Sequence, residues 1–284
     1  TYAISSDKYL EMVELSNDRK PSNIALYFHI PFCRKICFYC GCNSCRMTSE
    51  DEYKSYHEAL KKELEIVTSR LDRARTVTQV HFGGGTPNSI PAHYLVEIIN
   101  LIKNGYKLSP DVEIAIECNP ALLDRDYVNS LKSAGFNRIS LGIQDFEPGV
   151  LEKVNRDPSL IPVDELMAYM KADRTDIAVN LDFIYGLPGQ SPDSFEKSIK
   201  KAAAMRPDRL VTFSYAHVPW MKKNQVILEK YGLPGPREKI EMFLRGYNYL
   251  KNAGYIPVGF DHYVLPDDEL HRALANNMLH RNFQ

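Results

Sequence analysis

Apolar residues along this chain fall into short continuous runs that alternate with longer stretches of spaced apolar positions, and the alternation predicts most of its elements. Ile24-Ala25-Leu26-Tyr27-Phe28-His29-Ile30, ended by Pro31, reads as a buried strand. From Glu50 to about Leu71 charges separate the apolar positions as on a helix. Val77 to Phe82 returns to strand composition and runs into Gly83-Gly84-Gly85-Thr86-Pro87, completing a βαβ unit. Helices are then predicted near Tyr94 to Asn104, Arg125 to Ala134, Asp193 to Met205 and Arg237 to Ala253, with two more helical stretches between Pro148 and Ala172. Strands are predicted near Val112 to Glu117, Arg138 to Gln144, Ile177 to Ile184, Arg209 to Ser214 and Tyr255 to Phe260, about seven in all.

Strands that alternate with helices along the whole chain imply a parallel sheet with right-handed crossovers. Polar residues at strand ends separate an open sheet from a barrel. Tyr27, the three glycines, Glu117, Gln144, Asp182 and Tyr215 all stand at the C-terminal ends of successive strands. An open sheet concentrates such residues at one switch point, whereas in a barrel every βα loop can face one site. A partial or complete parallel β/α barrel is the expected α/β fold.

The formal net charge of -1 gives no electrostatic case for a nucleic-acid or membrane-surface partner, so small molecules are the expected partners. No apolar run approaches the roughly 18 residues of a membrane span, and Thr1 to Ser6 lacks the regions of a signal peptide. A soluble cytoplasmic protein is expected. The chain starts without Met and stops at Gln284 with no helix terminator, which suggests a piece of a longer one.

Five of the six cysteines crowd between Cys33 and Cys45, with Cys118 apart, a distribution that suits a metal site and makes a poor disulfide framework. Cys33, Cys37 and Cys40 have the spacing CxxxCxxC on a loop after a strand. Three thiolates there can bind three irons of a 4Fe-4S cube, leaving the fourth iron open to a chelating substrate such as S-adenosylmethionine. The competing reading is a zinc knuckle that adds Cys42 or Cys45, but structural zinc usually takes two Cys pairs separated by a real gap. Gly83 to Pro87 would let backbone groups approach a ligand closely, though alone it is equally a tight turn, and it carries neither a Walker nor a dinucleotide motif. Glu117 and Asp182 end apolar strands, where a carboxylate could accept from ribose hydroxyls or an ammonium group, or simply cap an element. Gln144 and Arg156 are likewise candidates, the guanidinium for a bidentate carboxylate pair.

Taken together, Leu26 to Cys33, the run ending Cys40-Gly41-Cys42-Asn43, Gly83 to Pro87 and Leu141 to Phe146 resemble the oxygen-independent coproporphyrinogen III oxidases of the radical S-adenosylmethionine superfamily. Asn180 to Pro188, Tyr215 to Pro219 and the stretch from Asp261 to Gln284 are similar too. The resemblance covers essentially the whole chain and implies a partial barrel of about six β/α units over 24–260. Residues 1–23 would precede it, and 261–284 would begin a connection to a C-terminal helical domain outside this chain. It makes Cys33, Cys37 and Cys40 the ligands of a 4Fe-4S cluster, with Cys42 not ligating, and counts Tyr27 with them as catalytic. Two S-adenosylmethionine molecules are implied: Tyr27, Gly84 and Glu117 would match contacts to the first, and Tyr39, Gly85, Thr86, Gln144, Arg156, Asp182 and Ala216 contacts to the second.

The implied reaction is oxidative decarboxylation of two propionates of coproporphyrinogen III to vinyl groups, giving protoporphyrinogen IX in heme synthesis. An unactivated propionate C-H bond is beyond a side-chain base, so a 5'-deoxyadenosyl radical would remove the hydrogen in a site closed to water. An electron donor such as flavodoxin or ferredoxin and a final electron acceptor would be needed, and a monomer is expected. Related heme chaperones usually carry Asp-Phe after the third cysteine, so Gly41-Cys42 favours the oxidase. Other radical enzymes with the same N-terminal half, acting in methyl transfer, cyclopropanation or heme ring opening, lack the Tyr215 to Pro219 and Asp261 to Gln284 features.

Overall fold

The structure, a computed structural model, describes residues 4–172 and 177–279. His280 to Gln284, part of the resemblance noted above, lie outside the described residues, as do Thr1 to Ala3. Helix α1 (Ser6–Leu15) precedes strand β1 (Ile24–Ile30), two short strands β2 (Phe32–Cys33) and β3 (Cys45–Arg46) bracket the cysteine loop, and α2 (Glu50–Arg70) follows. The alternation then runs β4 (Thr76–Gly84), α3 (Ala92–Gly105), β5 (Lys107–Cys118), α4 (Arg125–Ala134), β6 (Arg138–Gln144), α5 (Pro148–Lys153), α6 (Val163–Met170), β7 (Ala178–Tyr185), α7 (Pro192–Ala204) and β8 (Arg209–Ser214). Helices α8 (Val226–Glu229) and α9 (Pro236–Asn252), strands β9 (Ile256–Val258) and β10 (His262–Val264), and α10 (Glu269–Ala275) complete it.

The main sheet has the order β1-β4-β5-β6-β7-β8-β10-β9. Its first six strands are parallel and sequential, the partial barrel expected, with one helical connection or more between successive strands. The last two depart from expectation. Instead of one strand from Tyr255 to Phe260, the chain makes β9, turns through Gly259 at φ +71°, and returns as β10, which inserts antiparallel between β8 and β9. A left-handed φ at Gly259 costs nothing without a Cβ and allows that tight reversal. The sheet therefore extends past residue 260, to Val264.

Strand alternation sends one set of side chains outward against the helices. Val80, Phe82, Ile116, Ile139, Leu141, Val179, Leu181 and Phe183 are almost fully buried there and share one core with Leu95, Ile98 and Ile99 of α3, Leu131 of α4 and Ile199 of α7. The other set is polar and faces inward: Gln79, His81, Glu113, Glu117, Arg138, Ser140, Asn180 and Asp182 are joined by hydrogen bonds across neighbouring strands, and Arg209 lies opposite Asn180. Helix ends are fixed locally, α4 by the Asp124 side chain accepting from Tyr127 N and by left-handed Gly135, α7 by a Ser191–Ser194 capping box. Among the described residues, no helix is long and apolar enough to cross a membrane.

Candidate active site

The C-terminal ends of β1, β4, β5, β6 and β7 bring the sequence candidates to one mouth. On the β1 side, the Tyr27 ring stacks on His81 at 5.8 Å and its hydroxyl lies 3.1 Å from His29 Nδ1. His81 Nε2 is 3.0 Å from Glu117 Oε1, and Gly84 N donates to Glu117 Oε2 at 3.3 Å. Glu117 is thus aimed by a histidine and a backbone amide together. Burial and the Glu117 charge push Tyr27 up to about 12, so its hydroxyl stays protonated.

The glycine run lies where backbones nearly touch. Gly85 N donates to Ile30 O at 2.8 Å and Thr86 N to Phe32 O at 2.9 Å, so this loop continues the β1–β4 pairing into the cysteine segment. A Cβ at Gly85 would fall 2.5 Å from Pro31 O, which no side chain survives without moving backbone. Thr86 Oγ1 is 3.3 Å from Cys33 Sγ.

All six cysteines are free thiols. Cys33 is buried, and burial raises its pKa, with the nearby Cys40 and Cys37 adding to the effect. Arg156 Nη1 donates to Cys37 Sγ at 3.5 Å and to Tyr39 Oη at 3.4 Å, while Nη2 donates to Gly142 O. A hydrogen bond between the Cys42 and Cys40 thiols brings Cys40 down to about 6 and pushes Cys42 up. Cys45 is exposed in β3, and Cys118 is buried, its pKa raised by burial. Among the described residues, no three His, Cys, Asp or Glu side chains converge on a point that would hold one metal ion.

Gln144 ends β6 in the left-handed region at φ +69°, and its Oε1 is buried with no hydrogen-bond partner. A buried amide oxygen left unpaired costs about 1–3 kcal/mol, so it suits a bound donor. Ser140 Oγ donates to Asp182 Oδ2 at 2.6 Å. Burial, then the Glu117 charge, pushes Asp182 up to about 7 against the opposing pull of the Ser140 bond, Arg156 and His81. Ala216 presents its carbonyl to Gln225 Nε2 at 3.2 Å. Tyr215 Oη is 2.8 Å from His217 Nδ1, and His217 Nε2 is 3.1 Å from Glu229 Oε1, which turns this pair toward α8.

Several residues that the pattern did not single out hold the cysteine loop. Asn155 Nδ2 donates to Ile36 O at 2.9 Å, Phe38 N donates to Val154 O at 3.0 Å, and Lys35 pairs with Asp157 at 2.6 Å. Asn224, Gln225 and Lys222 reach the same loop from the other side. His81 was missed as well. Its position two residues before Gly83 on an alternating strand was the available signal.

The sequence profile of the Radical SAM superfamily matches residues 27–202. The oxygen-independent coproporphyrinogen III oxidase of Synechocystis sp. is 39% identical over 272 residues, covering 96% of this chain and 58% of that protein. The Escherichia coli protein of the same name is 36% identical over 261 residues, covering 92% of this chain and 57% of its own. Among solved structures, the coproporphyrinogen III oxidase (HemN) of Escherichia coli, described as a Radical SAM enzyme, superposes with a TM-score of 0.88 at 35% identity over 98% of this chain and 63% of that one. The radical S-adenosylmethionine methyltransferase TsrM of Kitasatospora setae shares only the fold, with a TM-score of 0.52 at 16% identity over 93% of this chain and 52% of its own. The chain spans less than two thirds of the length of the curated relatives it matches. With the profile covering well over half of its residues, the chain belongs to the radical SAM superfamily, and that membership implies a 4Fe-4S cluster and S-adenosylmethionine.

Proposed function

We propose that this chain carries the radical centre of an oxygen-independent coproporphyrinogen III oxidase, which converts two propionates of coproporphyrinogen III to vinyl groups. The residues present fit the implied groups. Cys33 lies within electrostatic reach of Cys37 and Cys40, Arg156 within reach of Cys37 and Cys33, and Gln144 Oε1 waits without a donor. When bound, the cluster and S-adenosylmethionine supply a one-electron route to a strong hydrogen-atom abstractor.

This chain's residues do the rest. Cys33, Cys37 and Cys40 hold three irons, and Arg156 beside Cys37 offsets their negative charge. Tyr27, Gly84 and Glu117 border the first S-adenosylmethionine, with Glu117 held as an acceptor by His81 and the Gly84 amide. Tyr39, Gly85, Thr86, Gln144, Arg156, Asp182 and Ala216 border the second. Tyr27, protonated at neutral pH, keeps a neutral wall over Glu117 and completes the catalytic set. The substrate enters over the mouth, an acidic low-potential carrier of the flavodoxin or ferredoxin kind supplies the electron, and the protein acts as a cytoplasmic monomer. Residues 1–23 form a preceding segment, and the region from 261 onward leads toward a C-terminal domain.

The observation that supports this reading most is the joint similarity of sequence and fold, 35% identity with a TM-score of 0.88, across 98% of the chain. Anaerobic incubation of the reconstituted full-length protein with coproporphyrinogen III, S-adenosylmethionine and a reductant tests it. The expected product mass reflects, for each of the two propionates, loss of carbon dioxide together with two hydrogens, whose electrons pass to the radical and the final acceptor. Stoichiometric heme binding with coproporphyrinogen III left unchanged would overturn the oxidase in favour of a chaperone.

A further inference from the structure

The parallel strands do not close into a full barrel: β1 pairs only with β4, and the opposite margin ends on β10 and β9. At the mouth the two margins are nevertheless tied, and the tie is made by side-chain amides. Asn224 Nδ2 lies 3.2 Å from Cys37 O, 3.0 Å from Phe38 O and 3.5 Å from Cys40 O. The neighbouring Gln225, only 1% exposed, donates from Nε2 to Tyr39 O at 2.9 Å and to Ala216 O at 3.2 Å, and its Oε1 accepts from Val218 N at 2.6 Å. Lys222 Nζ adds a bond to Cys42 O at 3.1 Å. Four successive carbonyls, Cys37 to Cys40, are therefore captured by two adjacent side chains that come from beyond β8.

We infer that Asn224 and Gln225 are positioning residues: an amide clasp that spans the open side of the barrel and fixes the cysteine loop for its cluster. Holding the peptide planes on both sides of Cys40 and the one after Cys37, with Asn155 holding the one before it, sets the directions of their Cα–Cβ bonds. The clasp engages only backbone carbonyls and leaves the thiols to the cluster, so it orients them much as the groups behind a metal's own ligands do. Gln225 also ties the loop to the Ala216 carbonyl, so one side chain couples the cluster loop to the far wall of the mouth. Amides suit this task because one NH2 group can serve two or more carbonyls, whereas a carboxylate has only acceptors to offer.

The inference rests on Cys33, Cys37 and Cys40 being cluster ligands, and the test separates the two. In full-length cofactor-free protein, amide hydrogen exchange of residues 37–42 is compared among wild type, Asn224→Ala, Asn224→Asp and Gln225→Leu. Faster exchange confined to 37–42 is expected in all three variants. After reconstitution, a chelator should strip iron about 10–100-fold faster from the variants. The order matters: Asn224→Asp should be at least as damaging as Asn224→Ala, because its carboxylate would face three carbonyl oxygens, whereas a space-filling role would leave it close to wild type. Wild-type exchange at 37–42 in Asn224→Ala, or wild-type iron retention in Asn224→Asp, would overturn the clasp. Should Gln225→Leu fail to fold, the two Asn224 variants decide alone. Failure of the wild type to take up a cluster would overturn the ligand reading, with the exchange experiment still judging the clasp.

Discussion

Glu113 and Asp182 both stand on the inner face of the sheet, yet their surroundings drive them in opposite directions. Burial would raise Glu113, but the Arg138 charge, hydrogen bonds from Gln79 and Arg138, and the nearby Arg209 outweigh it and hold Glu113 down to about 2. At the mouth, burial and Glu117 prevail and push Asp182 up to about 7. The floor of the lumen is a closed account of charge. Arg138 bridges Glu113, Asn180 and Glu269, while Arg209 makes two bonds to Asp268, at 2.8 and 3.0 Å, and a third to Glu269. The mouth, by contrast, keeps an unpaired Gln144 oxygen, a guanidinium against a thiol, and an Asp182 carboxyl whose ionisation the Glu117 charge opposes. A polar region that satisfies itself stabilises a fold, and one left unsatisfied is poised for a ligand.

That contrast predicts opposite phenotypes at the two ends. The largest effect is expected from Cys37→Ala. The variant should lose the brown chromophore and all 5'-deoxyadenosine formation, yet unfold within a few degrees of wild type, at about 2–4 °C per kcal/mol for a chain of this size. Global unfolding of the variant would mean that the cysteine loop is a structural staple, and the mouth would then resemble the floor.

Arg209→Ala should do the reverse. It strands Asp268, whose side chain is 6% exposed, without a counter-charge, and breaking such a buried pair costs about 3–5 kcal/mol. Thermal unfolding should shift down strongly, while the iron content of the protein that remains folded should match wild type. Equal stability of variant and wild type would remove the floor's structural role. The double variant Arg209→Met with Asp268→Leu should recover much of the loss, since an apolar pair leaves no buried charge behind.

The sequence pattern was legible where periodicity and local chemistry coincide. Ile24 to Ile30, Arg125 to Ala134, Arg138 to Gln144 and Arg209 to Ser214 emerge with the bounds their patterns predict, and the polar residues ending strands gather at one mouth. The floor was not legible, although Arg138 and Arg209 open two of those strands. A charged residue at a strand start looks like a boundary, and only the folded sheet reveals that Arg138 reaches Glu113 and Asn180 on its two neighbours and that Asn180 lies opposite Arg209. Strand β10 was hidden for a related reason, since three residues carry too short a pattern and a parallel alternation gives no cue for an antiparallel return. Asn224 and Gln225 sit in a stretch without periodicity, and their partners in the cysteine loop lie more than 180 residues away in the chain.

The smallest effect separates the two carboxylates by pH. Asp182 ionises near 3.8 in the unfolded chain and near 7 in the folded one, so between these values the unfolded state releases a proton that the native state retains. Its contribution therefore lowers stability as pH rises from about 3.8 to about 7 and levels off above. Asp182→Asn cannot titrate, still accepts from Ser140, and should stabilise the cofactor-free protein at pH 8 by about 1–2 kcal/mol for this half-buried group, read as a higher unfolding temperature, with no difference below pH 4. Glu113 has the opposite sign: its folded value lies below the ordinary 4.5, so its stabilisation is present above 4.5 and is lost as pH falls through about 2. Glu113→Gln should accordingly weaken the protein at pH 7 and narrow its deficit toward pH 2. If both variants shifted stability in the same direction at pH 8, Glu117, Arg156 and His81 would not set the state of Asp182, and the two ends of the lumen would be electrostatically alike.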